Sequence, residues 1–384
     1  MTIGVVGAGA MGAGIAQVAA QNGHEVILYD TKYAALESAR HRYEKIFARL
    51  VEKGKWSQEK SEEVFGRIHF ENHLDKFEKC GLIIEAIIEN LDVKKSVFNA
   101  LEDVCSKDCV LATNTSSLSI AAISSAVQHP ERILGVHFFN PAPLMPLVEI
   151  IPALTTDMKV VENTRALVDS WGKVTVEAKD TPGFIVNRVA RPFYSEAIKM
   201  YEEGVADFAT IDWALREIGG FRMGPFELTD LIGHDVNYVV TETVWTQFYY
   251  DPRFKPSITQ KRLLEAGLYG RKSGRGFYNY NEEEKAQPTE DQKLGQFIVD
   301  RIVAMLINEA ADALFLNIAS AEDIDLAMTK GVNYPKGLLA WADEIGIETV
   351  VNRLNELYEE YQDDRYRTCP LLRRMLKNGT SFFS

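Results

Sequence analysis

The chain has 384 residues, a hydrophobic fraction of 46% and a formal net charge of -13. That length suits two or three domains with real hydrophobic cores. The acidic balance argues against nucleic acid or an anionic membrane as a general partner. No apolar run is long enough to span a bilayer. The four cysteines complete no zinc-ligand pattern, and no targeting peptide precedes the first predicted strand. We therefore expect a cytoplasmic protein with reduced thiols and no metal.

The N-terminal stretch predicts a dinucleotide site. A short buried strand begins at Thr2 and leads into a G-x-G-x-x-G pattern, which an Ala-rich helix ending at Gln21 follows. In this pattern the first glycine permits a tight turn, the second admits a pyrophosphate, and the third lets the helix pack on the strand. The N-terminus of the helix favours phosphate. The loop residues expected to contact the cofactor are Gly7, Gly9, Ala10, Met11 and Gly12.

The second predicted strand, from Val26 to Tyr29, ends at Asp30, 18 residues after Gly12. This is close to the spacing of an acid that binds a ribose. A carboxylate there accepts hydrogen bonds from ribose hydroxyls and repels a 2'-phosphate. The sequence therefore predicts NAD rather than NADP as the cofactor.

A charged helical hairpin is predicted next, over residues 34–51 and 58–65. It is too long for a simple crossover between strands, so it reads as an insertion. Arg49, Lys53 and Lys55 cluster near its turn. They are either a solvated face or a local basic site for substrate phosphates.

Several polar residues are predicted to reach one edge of the sheet. Strands over residues 82–86 and 110–113 precede Glu89 and Asn114 respectively, Ser116 follows in the same loop, and Lys94 lies in a helix that ends near Val104. In an open parallel sheet, the loops at the carboxyl ends of the strands line the ligand crevice.

His137 and Glu149 stand on two apolar strands joined by a Pro-rich loop that contains Asn140. Such strands can bring the two side chains within hydrogen-bonding reach, and an imidazole oriented by a carboxylate is a general base near neutral pH. The alternative is a satisfied core histidine and a surface glutamate. His137 belongs to the same edge as Glu89, Asn114 and Ser116, which favours the catalytic interpretation.

From Phe184 onward the pattern is helical, after a last strand over 174–177 and a linker over 179–183. The region 184–203 predicts one long helix with Asn187 in its first turn. A charged stretch over 281–292 predicts a connector.

After the connector the helical pattern begins again at a constant offset of 113 residues. A fixed offset across a whole domain indicates duplication. The fold class predicted is α/β: an N-terminal Rossmann-type parallel sheet with an inserted helical hairpin, then two tandem all-α domains, at 1–180, 181–281 and 282–384. The matched positions are Phe184 with Phe297, Glu196 with Glu309, Asp212 with Asp325, Gly224 with Gly337, Asp230 with Asp343, and Gly233 with Gly346.

The chain resembles the L-3-hydroxyacyl-CoA dehydrogenase family, particularly its bacterial 3-hydroxybutyryl-CoA members. The motifs GAGAMGAGIAQ, IIEAIIEN, TNTSSLSI, GVHFFNPAPLMPLVEI and KDTPGFIVNR occur in the family's order and spacing. Residues 1 to about 281 resemble a complete family member, and the rest resembles a second copy of its C-terminal domain.

The resemblance implies that His137 is the general base, that Glu149 orients it, and that Ser116 and Asn187 contact the reacting oxygens. It also implies oxidation of (S)-3-hydroxyacyl-CoA by NAD, reversibly. Asp30 would hold the adenosine ribose, Glu89, Lys94 and Asn114 would lie beside the cofactor, Asn140 would lie beside the substrate, and Arg49 and Lys53 would contact coenzyme A.

Two other functions stay open: a dehydrogenase of a non-thioester hydroxy acid, and a non-catalytic NAD-binding protein. Acyl chain length and pathway, whether fatty-acid breakdown, butyrate-type synthesis or aromatic degradation, are also open. The second copy has Asp300 where the first has Asn187, so we expect it to bind no substrate. Family members pair through this helical domain, so the resemblance implies a pseudo-two-fold pair within one chain, with a homo-oligomer still possible.

Overall fold

The computed structural model describes residues 1–283 and 286–383. It divides into two compact units, Met1–Thr181 and Pro182–Ser384. The predicted connector over 281–292 includes Glu284 and Lys285, which lie outside the described residues. Among the described helices, none combines the length and apolar character needed to cross a bilayer.

The first unit is built on a sheet of eight strands in the order β3-β2-β1-β4-β5-β6-β7-β8. All neighbouring strands are parallel except β6 and β7, which are antiparallel. The strand order reverses at β1 and β4, which is the topological switch point where open α/β sheets bind their ligands. The strands are β1 Thr2–Val6, β2 Glu25–Tyr29, β3 Ile68–Glu71, β4 Cys80–Glu85, β5 Val110–Thr113, β6 Ile133–Phe138, β7 Leu147–Pro152 and β8 Val174–Glu177.

Helices cover this sheet, which explains why its central strands are continuous apolar runs rather than alternating ones. Every residue of β6 is buried. The helix after β1 is rich in alanine and buried along most of its length, because it lies close against the sheet. The helices of the first unit are α1 Ala10–Gln21, α2 Tyr33–Glu52, α3 Gln58–Gly66, α4 Leu91–Val104, α5 Ile120–Ser124 and α6 Met158–Ser170.

The inserted helical hairpin is present as α2 and α3. Tyr43 and Phe47 on α2 are buried, and their rings stack with centroids 5.6 Å apart. The Tyr43 hydroxyl donates to the carbonyl of Ala13 in α1 at 2.6 Å. These contacts fix one face of the hairpin on the sheet domain, while Arg49 and Lys53 on its other side are exposed.

Strand β3, which directly follows the hairpin, was absent from the sequence-based prediction. It is only four residues long, and it contains one His and one Glu. Its edge position explains these polar residues, because an edge strand pairs on one side only and need not be apolar. It pairs in parallel with β2 from Ile68 to Glu71.

In its described residues, the second unit contains helices and, near Gly270, isolated β-bridges. Its centre is α13, whose N-cap Asp291 accepts from two backbone amides and whose middle is almost entirely buried. The helices are α7 Val186–Val189, α8 Arg191–Glu202, α9 Phe208–Trp213, α10 Pro225–Ile232, α11 His234–Gln247, α12 Ile258–Glu265, α13 Gln292–Phe315, α14 Ala321–Gly331, α15 Leu338–Ile345, α16 Ile347–Tyr361 and α17 Pro370–Asn378.

The prediction of one long helix over 184–203 is wrong. Phe184 has a positive φ of 46°, α7 has only four residues, and α8 starts anew at Arg191. Pro192 is the cause, since a proline lacks the amide hydrogen and its ring displaces the carbonyl four residues earlier. Met305 occupies the matching position in the second copy, and there the helix α13 is continuous.

Two matched aspartates show how far the helical copies repeat each other. Asp212 accepts hydrogen bonds from the amides of Phe226 and Glu227, both at 2.9 Å. Asp325 accepts from the amides of Leu339 and Ala340, at 2.8 and 2.9 Å. Each aspartate therefore caps the helix that follows it, α10 or α15, and the four amide positions keep the offset of 113 residues.

The copies also exchange buried ion pairs. Arg188 of the first copy donates to Glu309 of the second at 2.7 Å. Arg301, the counterpart of Arg188, donates to Glu196, the counterpart of Glu309, at 2.6 Å. A contact between i and j that is repeated between their equivalents is the pattern of a two-fold interface.

Candidate active site

The glycine loop after β1 is shaped by close approaches of the backbone. Gly7 has a φ of +105°, and a Cβ added to it would lie 2.7 Å from the carbonyl oxygen of Ala86. A Cβ on Gly12 would collide with the carbonyl of Gly7. Gly9 is the N-cap residue of α1, and nothing in the described structure lies within 4 Å of where a Cβ on Gly9 would be. Gly7 and Gly12 therefore have to be glycine, and the loop is open at Gly9, where a pyrophosphate would approach.

Asp30 lies directly beyond the end of β2, beside the glycine loop. Its Oδ2 accepts from the amide of Ala8 at 2.9 Å, and its Oδ1 accepts from the amide of Lys32 at 2.9 Å. A carboxylate oxygen can accept more than one hydrogen bond, so the group still has capacity for ribose hydroxyls. The loop and Asp30 together fit the pyrophosphate and the adenosine ribose of NAD.

A buried ion pair supports the next loop along the edge. The ammonium of Lys94 on α4 is 1% exposed, and it binds Glu85 Oε1 at 2.6 Å and Glu89 Oε2 at 3.3 Å. Glu85 is the last residue of β4 and also accepts from the hydroxyl of Thr113 at 2.7 Å. Lys94 therefore lies beneath the surface at the carboxyl edge of the sheet, where its ammonium binds Glu89.

Glu89 organises the loop that contains Ser116. Its Oε1 accepts from the Thr115 hydroxyl at 2.5 Å and from the amides of Ser116 and Ser117 at 3.0 and 3.2 Å. Burial alone would raise the pKa of Glu89, but the Lys94 charge and these hydrogen bonds outweigh it and hold that pKa below its ordinary value. Glu89 is therefore ionised at neutral pH and fixes the Ser116 loop.

His137 and Glu149 face each other on the antiparallel strands β6 and β7, as directly paired residues. His137 Nδ1 lies 2.7 Å from Glu149 Oε2, with 6% of His137 and none of Glu149 exposed. The ring of Phe139 packs against the imidazole, with centroids 4.6 Å apart. Glu149 is not the surface residue of the alternative interpretation. A buried carboxylate in this position orients the imidazole and can stabilise its cationic form.

Asn114 connects the two parts of the edge. Its side-chain oxygen accepts from the amide of Phe138 at 2.8 Å, immediately after His137. The backbone amide of Asn114 donates to the backbone carbonyl of Glu85 at 2.7 Å. The structure thus brings Glu89, Asn114, Ser116 and His137 to the carboxyl ends of β4, β5 and β6, as the sequence predicted.

The remaining predicted site residues differ in their exposure. Asn140 is exposed in the loop after β6 and precedes a cis peptide bond to Pro141. Arg49 and Lys53 are exposed at the end of α2. Asn187 is half-buried in α7 of the second unit.

Three supporting residues were missed at the sequence level. These are Glu85, Thr115 and Asp180, the last of which accepts from the amides of Ile120 and Ala121 at 3.0 and 2.8 Å and so caps α5. One signal was available for Glu85. An acid at the end of an otherwise apolar strand must be paired when it is buried, and Lys94 is the nearest basic residue on the following helix.

Comparison with known proteins identifies the family. The profile described as 3-hydroxyacyl-CoA dehydrogenase, NAD binding domain, matches residues 2–181. The profile of the C-terminal domain matches 183–280 and again 297–381. The second match falls on the part of the chain predicted as a duplicate.

Individual relatives agree with this result. The 3-hydroxyadipyl-CoA dehydrogenase of Escherichia coli K12 is 39% identical, over 98% of both chains. A probable 3-hydroxybutyryl-CoA dehydrogenase of Deinococcus radiodurans is 41% identical, over 73% of this chain and all of its own length. The crystal structure of 3-hydroxybutyryl-CoA dehydrogenase from E. coli K12 superposes with a TM-score of 0.94 at 38% identity, over 99% of both chains. The chain belongs to the 3-hydroxyacyl-CoA dehydrogenase family.

Proposed function

We propose that the chain oxidises the C3 hydroxyl of short (S)-3-hydroxyacyl-CoA thioesters, 3-hydroxybutyryl-CoA foremost, and that it also catalyses the reverse reaction. The reaction class is that of its family, NAD-dependent 3-hydroxyacyl-CoA dehydrogenation. The observation that supports catalysis by this chain is the buried pair of His137 and Glu149, whose atoms Nδ1 and Oε2 lie 2.7 Å apart.

His137 is proposed as the general base. When Nδ1 donates to Glu149, the basic lone pair of the ring belongs to Nε2. Nε2 therefore takes the proton of the C3 hydroxyl, and Glu149 stabilises the imidazolium that forms. A base positioned in this way contributes roughly a hundred- to ten-thousand-fold to the rate.

Ser116 and Asn187 are proposed as contacts of the substrate's reacting oxygens. For Ser116 the support is its fixed backbone, because its amide donates to the ionised Glu89 at 3.0 Å. Asn187 is assigned from the resemblance, as is Asn140 in the exposed loop after β6. Arg49 and Lys53 are proposed to attract the phosphates of coenzyme A, since both are exposed cations in an acidic chain.

NAD is proposed to lie along the glycine loop. The residues assigned to it are Gly7, Gly9, Ala10, Met11, Gly12, Asp30, Glu89 and Asn114, and the buried Lys94 is proposed to act through Glu89. The support is the open approach at Gly9 and the position of Asp30 beside the loop. When bound, the nicotinamide supplies the acceptor for the hydride that leaves C3. Asp30 favours NAD because a 2'-phosphate would meet a carboxylate.

The domain boundaries are proposed at 1–180, 181–281 and 282–384. We also propose that the second helical copy takes the place of a partner subunit, in a pseudo-two-fold pair within one chain. The reciprocal ion pairs of Arg188 and Arg301 support this arrangement. Further assembly of whole chains is compatible with it.

A turnover panel tests the function. The purified chain should be assayed with 3-hydroxyacyl-CoA thioesters from short to long, with the matching free acids, and with NAD and NADP. We expect the highest kcat/KM with the four-carbon thioester and NAD. His137→Gln should lower kcat by about a hundredfold or more. A free acid oxidised as well as its thioester, or an unchanged rate in a folded His137→Gln variant, would contradict the proposal.

A dicarboxylic thioester is the second candidate substrate. The relative named 3-hydroxyadipyl-CoA dehydrogenase matches this chain over 98% of both lengths, the second helical copy included. The panel should therefore contain 3-hydroxyadipyl-CoA beside the monocarboxylic thioester of equal length. A higher kcat/KM for the dicarboxylic member of that pair would favour the second candidate.

A further inference from the structure

Arg188 is a buried cation whose negative partners come from the other helical copy. Its side chain is fully buried. Nε donates to Glu309 Oε1 and Nη2 donates to Asp312 Oδ2, both at 2.7 Å. The guanidinium also lies 5.0 Å from the ring of Phe248. A buried guanidinium is tolerated only with such compensation, so the second copy determines whether Arg188 keeps its place.

A second arginine of the first copy joins the same cluster. Arg253 Nη1 donates to Asp312 at 2.7 Å and to Glu309 at 3.3 Å, while its other nitrogens bind Asp251. Glu309 and Asp312 are therefore shared by two cations from the first copy. Loss of either carboxylate would leave Arg188 with one charged partner fewer at a site with little solvent.

The backbone next to Arg188 is irregular, although Val186 and Val189 on either side of it are buried. Asn187 precedes it in α7, a helix of four residues. Two residues with positive φ, Gly183 at 74° and Phe184 at 46°, lead into that helix, and Pro192 prevents its continuation. A single helical turn is not stable by its own hydrogen bonds, so the side-chain anchor at Arg188 contributes to fixing Asn187.

We propose that Glu309 and Asp312 are positioning residues for the dehydrogenase reaction. By holding Arg188, they set the place of Asn187 in the first copy, although they belong to a copy with no dinucleotide domain of its own. This inference rests on the proposed contact of Asn187 with the substrate. It gives the second copy a role in turnover in addition to covering an apolar face.

The chain contains a matched control for this proposal. Arg301 is likewise fully buried, and it binds Glu196 at 2.6 Å and Glu203 at 2.9 Å across the same pseudo-two-fold pair. Its neighbour is Asp300, in the continuous helix α13. Glu196→Gln therefore removes the equivalent buried carboxylate from the partner of Arg301, and Arg301 adjoins Asp300, to which we assign no substrate contact.

The experiment compares Glu309→Gln with Glu196→Gln in the full chain. Both should lower the melting temperature to a similar extent, because each leaves a buried arginine short of one charge. Below that temperature, Glu309→Gln should lower kcat by roughly tenfold or more, since small misplacements of a positioning group are costly in rate. Its KM for NAD should stay within about twofold. Glu196→Gln should keep kcat within about twofold of the wild-type chain.

Two further variants protect the test against misfolding. Asp312→Asn removes a partly exposed carboxylate from the same cluster and should give a smaller loss of kcat in the same direction. Glu309→Asp keeps the charge and should recover part of the turnover that Glu309→Gln loses. Equal kcat in Glu309→Gln and Glu196→Gln, or no recovery in Glu309→Asp, would overturn the proposal.

Asn187→Ala separates this inference from the function on which it rests. If Asn187→Ala lowers turnover while Glu309→Gln does not, the positioning role fails alone. If Asn187→Ala turns over like the wild-type chain, its substrate contact is wrong and the positioning role falls with it. Absence of turnover on every thioester of the panel would refute the proposed function itself.

Discussion

The two helical copies share their framework and differ where the first is assigned to the substrate. Asp212 and Asp325 cap equivalent helices through equivalent amides. At the start of each copy, however, Asn187 lies in a helix of four residues, whereas Asp300 lies within a helix of 24. The capping and interface residues were kept in both copies. The irregular backbone and the neutral amide are found only in the copy that follows the dinucleotide domain.

This difference separates two kinds of constraint on one fold. Folding requires capped helices, buried apolar faces and paired charges, and both copies meet these requirements. A functional site can require an irregular backbone in place of a regular helix, and local backbone strain is concentrated at such sites. Pro192 and Met305 are the residues at which the copies diverge in this respect.

Removal of the second copy should have the largest effect. Truncation after Tyr280 would remove both carboxylates that bind Arg188 and the aromatic partners of the first copy, such as Tyr334, whose ring lies 5.6 Å from Phe193. The exposed apolar face should cause the product to dimerise or aggregate. Sedimentation of the full and truncated chains measures this. A truncated chain that stays a stable monomer would show that the second copy does not cover the face.

Exchange of the residues that distinguish the copies should have the next largest effect. Asn187→Asp places a carboxylate opposite a substrate oxygen and should lower kcat/KM by about a hundredfold. Asp300→Asn should leave kcat/KM unchanged, because the contacts of Asp300 are within the second copy: it accepts from Gln296 at 2.7 Å and forms a partly exposed ion pair with Arg353 at 3.4 Å. Exposed ion pairs of this kind contribute about 0–1 kcal/mol to stability. Steady-state kinetics of both variants decides this. Similar losses in the two variants would contradict the assigned asymmetry.

Much of the first unit could be predicted from sequence because its signals are local. The glycine pattern, Asp30, and the strands ending at Thr113 and Glu177 each depend on a few neighbouring residues. The pairing of His137 with Glu149 followed from strands joined by a short loop. Strand β3 could not be found in this way, because only its contact with β2 shows that the short segment is a strand.

The parts that could not be predicted depend on distant residues. A constant offset indicated duplication, but it did not show that Arg188 binds Glu309 rather than Glu196, because that choice is made by the packing of one copy on the other. The break at Pro192 was visible in the sequence. Pro192 is the ninth residue of the predicted helix 184–203, well beyond the first turn in which a proline is tolerated, so it predicts an interruption although the apolar spacing around it suits a helix.

The smallest expected effect is the pH dependence of stability that the two capping aspartates, Asp212 and Asp325, cause. Burial raises the pKa of Asp212 to about 7, against the hydrogen bonds from Phe226, Tyr278 and Glu227 that lower it. The pKa of Asp325 is also raised by burial, but Asp325 is only half-buried. An acid with a raised pKa in the folded state binds more protons folded than unfolded, so its share of stability falls as pH rises towards the folded pKa.

Between pH 5 and pH 8 the wild-type chain should therefore lose roughly 2 kcal/mol of stability through Asp212. Asp212→Asn lacks this titration. Asp212→Asn should be less stable than the wild-type chain, but the difference between their free energies of unfolding should shrink as the pH rises. Asp325→Asn should show the same sign with a smaller amplitude. Urea unfolding at several pH values measures both differences. If the free energies of unfolding of Asp212→Asn and the wild-type chain follow parallel courses with pH, Asp212 is ionised throughout this range. In that case the backbone amides of α10, and not burial, would govern its charge.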